Sequence, residues 1–182
     1  WETGGSDIAE GISSVSQLDG TYYMYPLSVA AHCMAINYEA FEAAGALQYI
    51  DEETRTWTTD NFVKAMEAVR DAAAAGTINI NTPGIIYCGA QGGDQGTRAL
   101  VNNLYSDYFV NEDGTAYTAN SENNVKALKL LQDMVNNGSM SANASFAAAD
   151  ELQAFANQTC AVSFCWNYAN YTQYAAQTQF TP

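Results

Sequence analysis

The sequence predicts a mixed α/β domain, and three observations lead there. Two long segments carry apolar residues at helical spacing between recognisable caps, "WTTDNFVKAMEAVRDAAAAG" at 57–76 and "NSENNVKALKLLQDMVNNG" at 120–138. Short β-prone apolar runs, "GIIYCGA" at 84–90 and "CAVSFCW" at 160–166, alternate with the helical segments. The chain has 182 residues, 48% of them hydrophobic, so it buries roughly 70% of its unfolded surface without a metal or disulfide scaffold.

Residues 1–18, rich in Gly and Ser, read as a lead-in, and Asp19-Gly20 is a turn signal. "TYYMYPL" at 21–27 follows as a strand whose pairing Pro26 limits, and "SVAAHCMAIN" at 28–37 as a strand buried on both faces. "YEAFEAAG" at 38–45 is a short helix stopped by Gly45, and the acids at 51–53 beside Arg55 form a solvated turn. Thr58 or Thr59 caps the first long helix, with Phe62, Met66, Val69 and Ala73 inward. Further expectations are a helix over 97–110, a tight hairpin at Asp113-Gly114, and a second long helix capped by Asn120 or Ser121. In that helix Val125, Leu128, Leu131 and Val135 face the core, and "AADELQAFANQT" at 148–159 makes a shorter helix with Leu152, Phe155 and Ala156 inward.

Charge and cysteine content exclude several function classes. Twenty acids against six Lys and Arg give a net charge of −14, the wrong sign for nucleic acid or an anionic lipid surface. No apolar run reaches the roughly 18 residues of a membrane span. The four cysteines have no Cys-x-x-Cys spacing, and His32, although it adjoins Cys33, has no Asp or Glu near it in the sequence, so neither a metal site nor a cofactor is expected. Cys33, Cys88 and Cys165 lie in or beside strand-like runs and read as small buried hydrophobes. Ser163 lacks the Gly-x-Ser-x-Gly context of a nucleophile elbow, and Asp94 and Glu151 stand alone. The chain starts at Trp1 and ends at Thr181-Pro182 in the manner of a domain cut from a longer protein.

Two stretches are candidates for ligand contact. Gln91, Gly92, Gly93 and Asp94, in "QGGDQG", sit between a strand and a helix, where glycines permit close approach; a plain turn is the competing reading. Trp166 ends a strand and is followed by Asn167 and Tyr168. An indole stacks on the apolar face of a sugar while amide and phenol edges reach the hydroxyls; a packed Trp is the alternative.

The order and spacing of several motifs resemble the bacterial extracellular solute-binding proteins of carbohydrate ABC transporters. Over residues 19–62 the matching positions are Asp19, Gly20, Tyr23 or Tyr25, Pro26, Asn37, Phe41, Ala44, Gly45, Thr56, Trp57 and Phe62. Further on they are Val125, Ala127, Leu128, Gly138, Phe155, Ala161 and Trp166. The chain departs from the pattern at Gln158-Thr159, at Ile36-Asn37-Tyr38, and at Ala30, where maltose-binding protein carries an acid.

The resemblance implies one lobe of a two-lobe periplasmic-binding-protein-like fold, a short mixed sheet flanked by helices. Residues 28–33 would be the hinge-side strand and 166–182 the return toward a missing first lobe. It implies a non-catalytic sugar- or oligosaccharide-binding component of an importer, closing by hinge bending. Trp166 would be the stacking platform, with Asn167, Tyr168, Gln91–Asp94 and His32 as contacts. The partners would be the permease and the first lobe, and the location extracellular, through a lipid anchor outside these residues, or periplasmic. A fragment of a secreted carbohydrate-active enzyme, with two facing carboxylates near Trp166, and an interaction domain without a small ligand are the competing classes.

Overall fold

The computed structural model describes residues 8, 10–27, 30–89 and 95–182. They divide into two compact units, residues 1–31 and 32–182. In the first, α1 (Glu10–Val15) precedes a hairpin of β1 (Gln17–Leu18) and β2 (Thr21–Tyr22), paired Gln17 with Tyr22 and Leu18 with Thr21. Asp19 and Gly20 take φ of 49° and 76° at its tip, the left-handed pair a two-residue hairpin needs. The predicted strand over 21–27 shrinks to its first two residues.

The second unit runs β3 (Cys33–Ile36), α2 (Tyr38–Ala43), a 3₁₀ turn (Ala46–Tyr49), α3 (Thr59–Ala74), β4 (Ile85–Tyr87) and α4 (Gln95–Leu104). It continues through α5 (Glu122–Asn136), β5 (Ser141–Asn143), α6 (Ala148–Ala156), β6 (Val162–Trp166) and α7 (Tyr168–Tyr174). β3 pairs antiparallel with β6, Cys33 opposite Trp166 and Ile36 opposite Val162, with an irregularity between Cys33 and Ala35. β4 pairs parallel with β5. Backbone bonds from Ala161 N (2.9 Å) and Val162 N (3.0 Å) to Pro83 O join the entrances of β6 and β4. Gly84 permits that approach: a Cβ there would lie 2.8 Å from Val162 Cγ2 and 3.0 Å from the Phe164 ring.

The strands lie between two apolar clusters. On one side Phe62, Met66 and Val69 of α3, Leu100 and Leu104 of α4, and Leu131 and Met134 of α5 close on Val162 and Phe164. On the other, Leu152, Phe155 and Ala156 of α6 pack with Ala35, Trp166 and Tyr174. The helices begin where side chains satisfy their free amides. Thr58 Oγ1 accepts from Asn61 N (3.2 Å), Ser121 Oγ from Asn124 N (3.1 Å), and Asn37 Oδ1 from Ala40 N (3.0 Å). Gly45, Gly76 and Gly138 follow their helices in left-handed conformation, as the stop signals predict.

Four expectations need correction. Of the strand expected over 28–37, the described residues 30–37 form only β3, and it is not buried on both faces: Cys33 is exposed and Met34 and Ile36 are half-buried. Cys33 and Cys88 are therefore not core hydrophobes, whereas Cys160 and Cys165 are buried. The helix over 97–110 stops at Leu104, and Tyr108 is exposed. In α5 the inward face is Asn124, Ala127, Leu131 and Met134, while Val125 and Leu128 are 53% and 52% exposed. Asn124 sets that rotation. Its Nδ2 donates to Tyr108 O (2.9 Å) and Thr118 O (3.1 Å), so the loop over 108–118 draws a polar residue inward.

Phe155 is fully buried, with its ring centroid 5.3 Å from Trp166 and 5.1 Å from Phe180. Phe155→Ala is expected to lower unfolding free energy by about 3–5 kcal/mol, measured by urea denaturation. Val125→Ala, on the exposed face of α5, is expected to cost less than about 0.5 kcal/mol.

Candidate functional site

The β3–β6 pair ends at Cys33 and Trp166, and the residues just beyond it, His32 and Asn167, meet each other. Asn167 has non-helical backbone and caps α7, its Oδ1 accepting from Asn170 N at 2.9 Å. Its Nδ2 lies 3.2 Å from His32 Nε2. An amide nitrogen only donates, so Nε2 accepts and Nδ1 carries the ring proton. One Asn167 N–H and the His32 Nδ1–H remain as donors.

Tyr168 opens α7 and is 80% exposed; Tyr171, one turn on, is 46% exposed. The i, i+3 spacing puts both on one face, and their rings stack at 6.5 Å with 25° between planes. The result is an aromatic ledge beside two polar groups.

Trp166 is not part of that ledge. Its side chain is 5% exposed, with Phe155 edge-on at 5.3 Å and Tyr174 at 6.4 Å. The expectation of a bare indole on a cleft wall is corrected here: α6 and α7 supply rings that cover it, and the apolar area it buries is worth more packed than wet. Its carbonyl accepts from Cys33 Sγ at 3.6 Å, which ties the strand ends. Gln91, Gly92, Gly93 and Asp94 lie outside the described residues.

Sequence reasoning left Glu151 unassigned, yet it is the most constrained acid described. It is fully buried on α6, and its Oε2 accepts from Ser163 Oγ (2.8 Å) and its Oε1 from Phe164 N (2.7 Å). Burial pushes its pKa up to about 7, against the pull of those two hydrogen bonds. Its position one residue before Leu152 on the inward face of α6 was the available signal. Nearby, Tyr87 has its hydroxyl buried without a well-formed hydrogen bond, and its pKa is raised by burial first and then by the Glu151 charge. Burial likewise raises Cys160 and Cys165. These thiols stay protonated at neutral pH, so the cluster holds the strand and offers no thiolate nucleophile.

Among the described residues no group of three or more His, Cys, Asp or Glu is placed to hold a metal ion, and no helix is long and apolar enough to cross a membrane.

No family model matches the sequence, and no curated protein matches it. Among solved structures, the GacH receptor of Streptomyces glaucescens GLA.O, determined unliganded and in complex with acarbose and an acarbose homolog, matches with a TM-score of 0.64 at 17% identity. The match covers 87% of this chain and 36% of the receptor. What the two share is the fold, a mixed α/β arrangement of small sheets flanked by helices, over a span consistent with one lobe.

The raised Glu151 value fixes a pH dependence. The folded state holds the proton up to about pH 7, whereas an ordinary Glu releases it near 4.5. Stability from this group is therefore fully present below 4.5 and is lost as pH rises toward 7, by on the order of 3 kcal/mol. Glu39, Asp51, Asp107 and Asp113, all lowered by hydrogen bonds, act oppositely and only in more acid solution. Urea denaturation is expected to show stability falling from pH 5 to pH 7.5. Glu151→Gln, which keeps both strand contacts in neutral form, is expected to flatten that slope.

Proposed function

We propose that this chain is a ligand-binding lobe of a non-catalytic carbohydrate-binding protein serving an importer. The supporting observation is the ledge at the end of β6: the exposed Tyr168–Tyr171 pair beside the Asn167–His32 pair, on a fold shared with a sugar receptor. The Tyr168 ring offers an apolar face to the C–H side of a pyranose. The free His32 Nδ1–H and Asn167 N–H donate to hydroxyls at the ring edge. Trp166 supports the ledge from beneath by fixing Tyr174 and the start of α7. The Gly-rich turn at 91–94 remains a proposed contact.

On this reading a second lobe supplies the opposing wall and excludes water when the two close. The permease of an ABC transporter is the proposed partner, and the proposed location is extracellular, anchored by lipid outside these residues, or periplasmic. The enzyme reading calls for two carboxylates facing each other across a cleft. Glu151, the acid that reaches β6, is sealed in the core instead.

A single wall binds weakly, so this chain alone is expected to show little or no heat with mono- and oligosaccharides by calorimetry. Sub-micromolar binding by this chain would count against the two-lobe reading. In the full-length protein a thermal-shift screen over the same sugars is expected to find a stabilising ligand. Tyr168→Ala is expected to weaken that ligand about tenfold, the loss of one ring contact. Trp166→Phe is expected to lower the melting temperature with little change in affinity. The opposite ranking would return the stacking role to Trp166.

A further inference from the structure

A second concavity opens from the same residue that anchors the ledge. His32, whose Nε2 faces Asn167, also lines a groove of ≈ 360 Å³ within the second unit. Its apolar lining is Met34 of β3, Phe62 of α3, Leu100 and Leu104 of α4, and Phe164 of β6. Trp57 and Ala99 also line it, the Trp57 ring held 5.4 Å from Phe62 and 6.1 Å from Phe41.

Most polar atoms around the groove are already used. Thr58 caps α3, Thr59 Oγ1 donates to Leu104 O, and Asn103 Nδ2 donates to Ala99 O at 2.7 Å. What remains is the Asn103 carbonyl, the His32 Nδ1–H and the Arg55 guanidinium, which is in no ion pair among the described residues. Among the described residues no acid lines the groove, in a chain with twenty acids and six Lys and Arg. The volume is at the small end of ligand pockets, roughly 300–1,000 Å³, too little for a helix some 10 Å across. An apolar slot edged by one cation suits a single aromatic ring, whose π face a guanidinium attracts.

We propose that this groove binds a small aromatic group, and that the ligand is an aryl glycoside, its sugar on the Tyr168 ledge and its ring in the groove, with His32 between them. The glycoside half rests on the carbohydrate reading above; the ring site stands without it.

Cys33 supplies the readout, because it is exposed and lines the groove. In a Cys88→Ser background it is the one exposed thiol, since Cys160 and Cys165 are buried. Its alkylation by N-ethylmaleimide, followed by mass spectrometry, is measured with millimolar phenol, phenyl β-glucoside or methyl β-glucoside. Phenol and phenyl β-glucoside are expected to slow the reaction, roughly tenfold at ten times their Kd, and methyl β-glucoside to leave it unchanged. Ala99→Phe, which fills the groove, is expected to abolish the effect of phenol; should that variant not fold, the comparison of phenol with methyl β-glucoside decides alone. An unchanged rate with both aromatic compounds overturns the ring site, whatever the sugars do. Equal protection by methyl β-glucoside overturns it as well, because a sugar then fills the space. Protection by phenol but not by phenyl β-glucoside keeps the ring site and overturns the glycoside. Failure of the carbohydrate reading shows separately, as a Tyr168→Ala variant that binds sugars unchanged.

Discussion

One carboxylate in the core constrains what is presented at the Trp166 end of the β3–β6 pair. Glu151 reaches from α6 to β6 and holds two consecutive residues, Ser163 by its hydroxyl and Phe164 by its amide. Burying an ionised carboxylate costs several kcal/mol, and two charge-assisted hydrogen bonds return only part of that. The pKa near 7 records the imbalance. The contact survives protonation, because a neutral carboxyl still accepts from the Phe164 amide and can donate to Ser163 Oγ. An apolar side chain in its place would leave the amide of Phe164 without that partner, and a buried unpaired amide costs about 1–3 kcal/mol. The strand that carries Trp166 and ends at Asn167 is thus pinned sideways by a group whose charge varies near neutrality, while its position does not depend on that charge.

From there the geometry propagates outward by packing. The pinned strand sets the Trp166 indole against Phe155 and Tyr174. Tyr174 is the last residue of α7, and Asn167 caps its first turn, so both ends of that short helix are referred to β6. Seven residues are too few for a helix to hold itself in water. The exposed rings of Tyr168 and Tyr171 stand where they do because the buried ring of Trp166 is where it is. Trp166 thus bears on the ledge through its packing.

The helices were legible in the chain and the strands much less so. Thr58, Ser121 and Gly138 are local signals with local causes, and the structure uses each at the expected place. Strand extent depends on partners far away in sequence. Cys33–Ile36 pairs only as far as β6 offers a ladder, which nothing in "SVAAHCMAIN" encodes. The α5 face was misread for a related reason. Val125 and Leu128 satisfy helical periodicity, but Asn124 turns inward to donate to the Tyr108 and Thr118 carbonyls, and a periodicity count treats Asn as outward. At the site, Asn167, Tyr168 and His32 do fall together at one end of the β3–β6 pair. A sequence shows that a Trp ends a strand; whether the ring turns to solvent or into the core depends on Phe155 and Tyr174, eleven residues before and eight after.

The distribution of charge bears on what such a surface selects. Twenty acids against six Lys and Arg repel anions at long range, so an anionic ligand would be opposed before it arrived. A neutral ligand meets no such barrier, and stacking and hydrogen bonding, the two interactions proposed for the ledge, need no net charge on either partner. The Arg55 side chain sits beside the groove with three acids, Asp51, Glu52 and Glu53, just before it in the chain, so its field is offset by theirs and screened over about 8–10 Å in physiological salt. What remains at contact distance is a local attraction for electron density such as an aromatic face. Acidic exterior, neutral ledge and one short-range cation therefore favour the same class of molecule, uncharged, hydroxylated at one end and flat at the other.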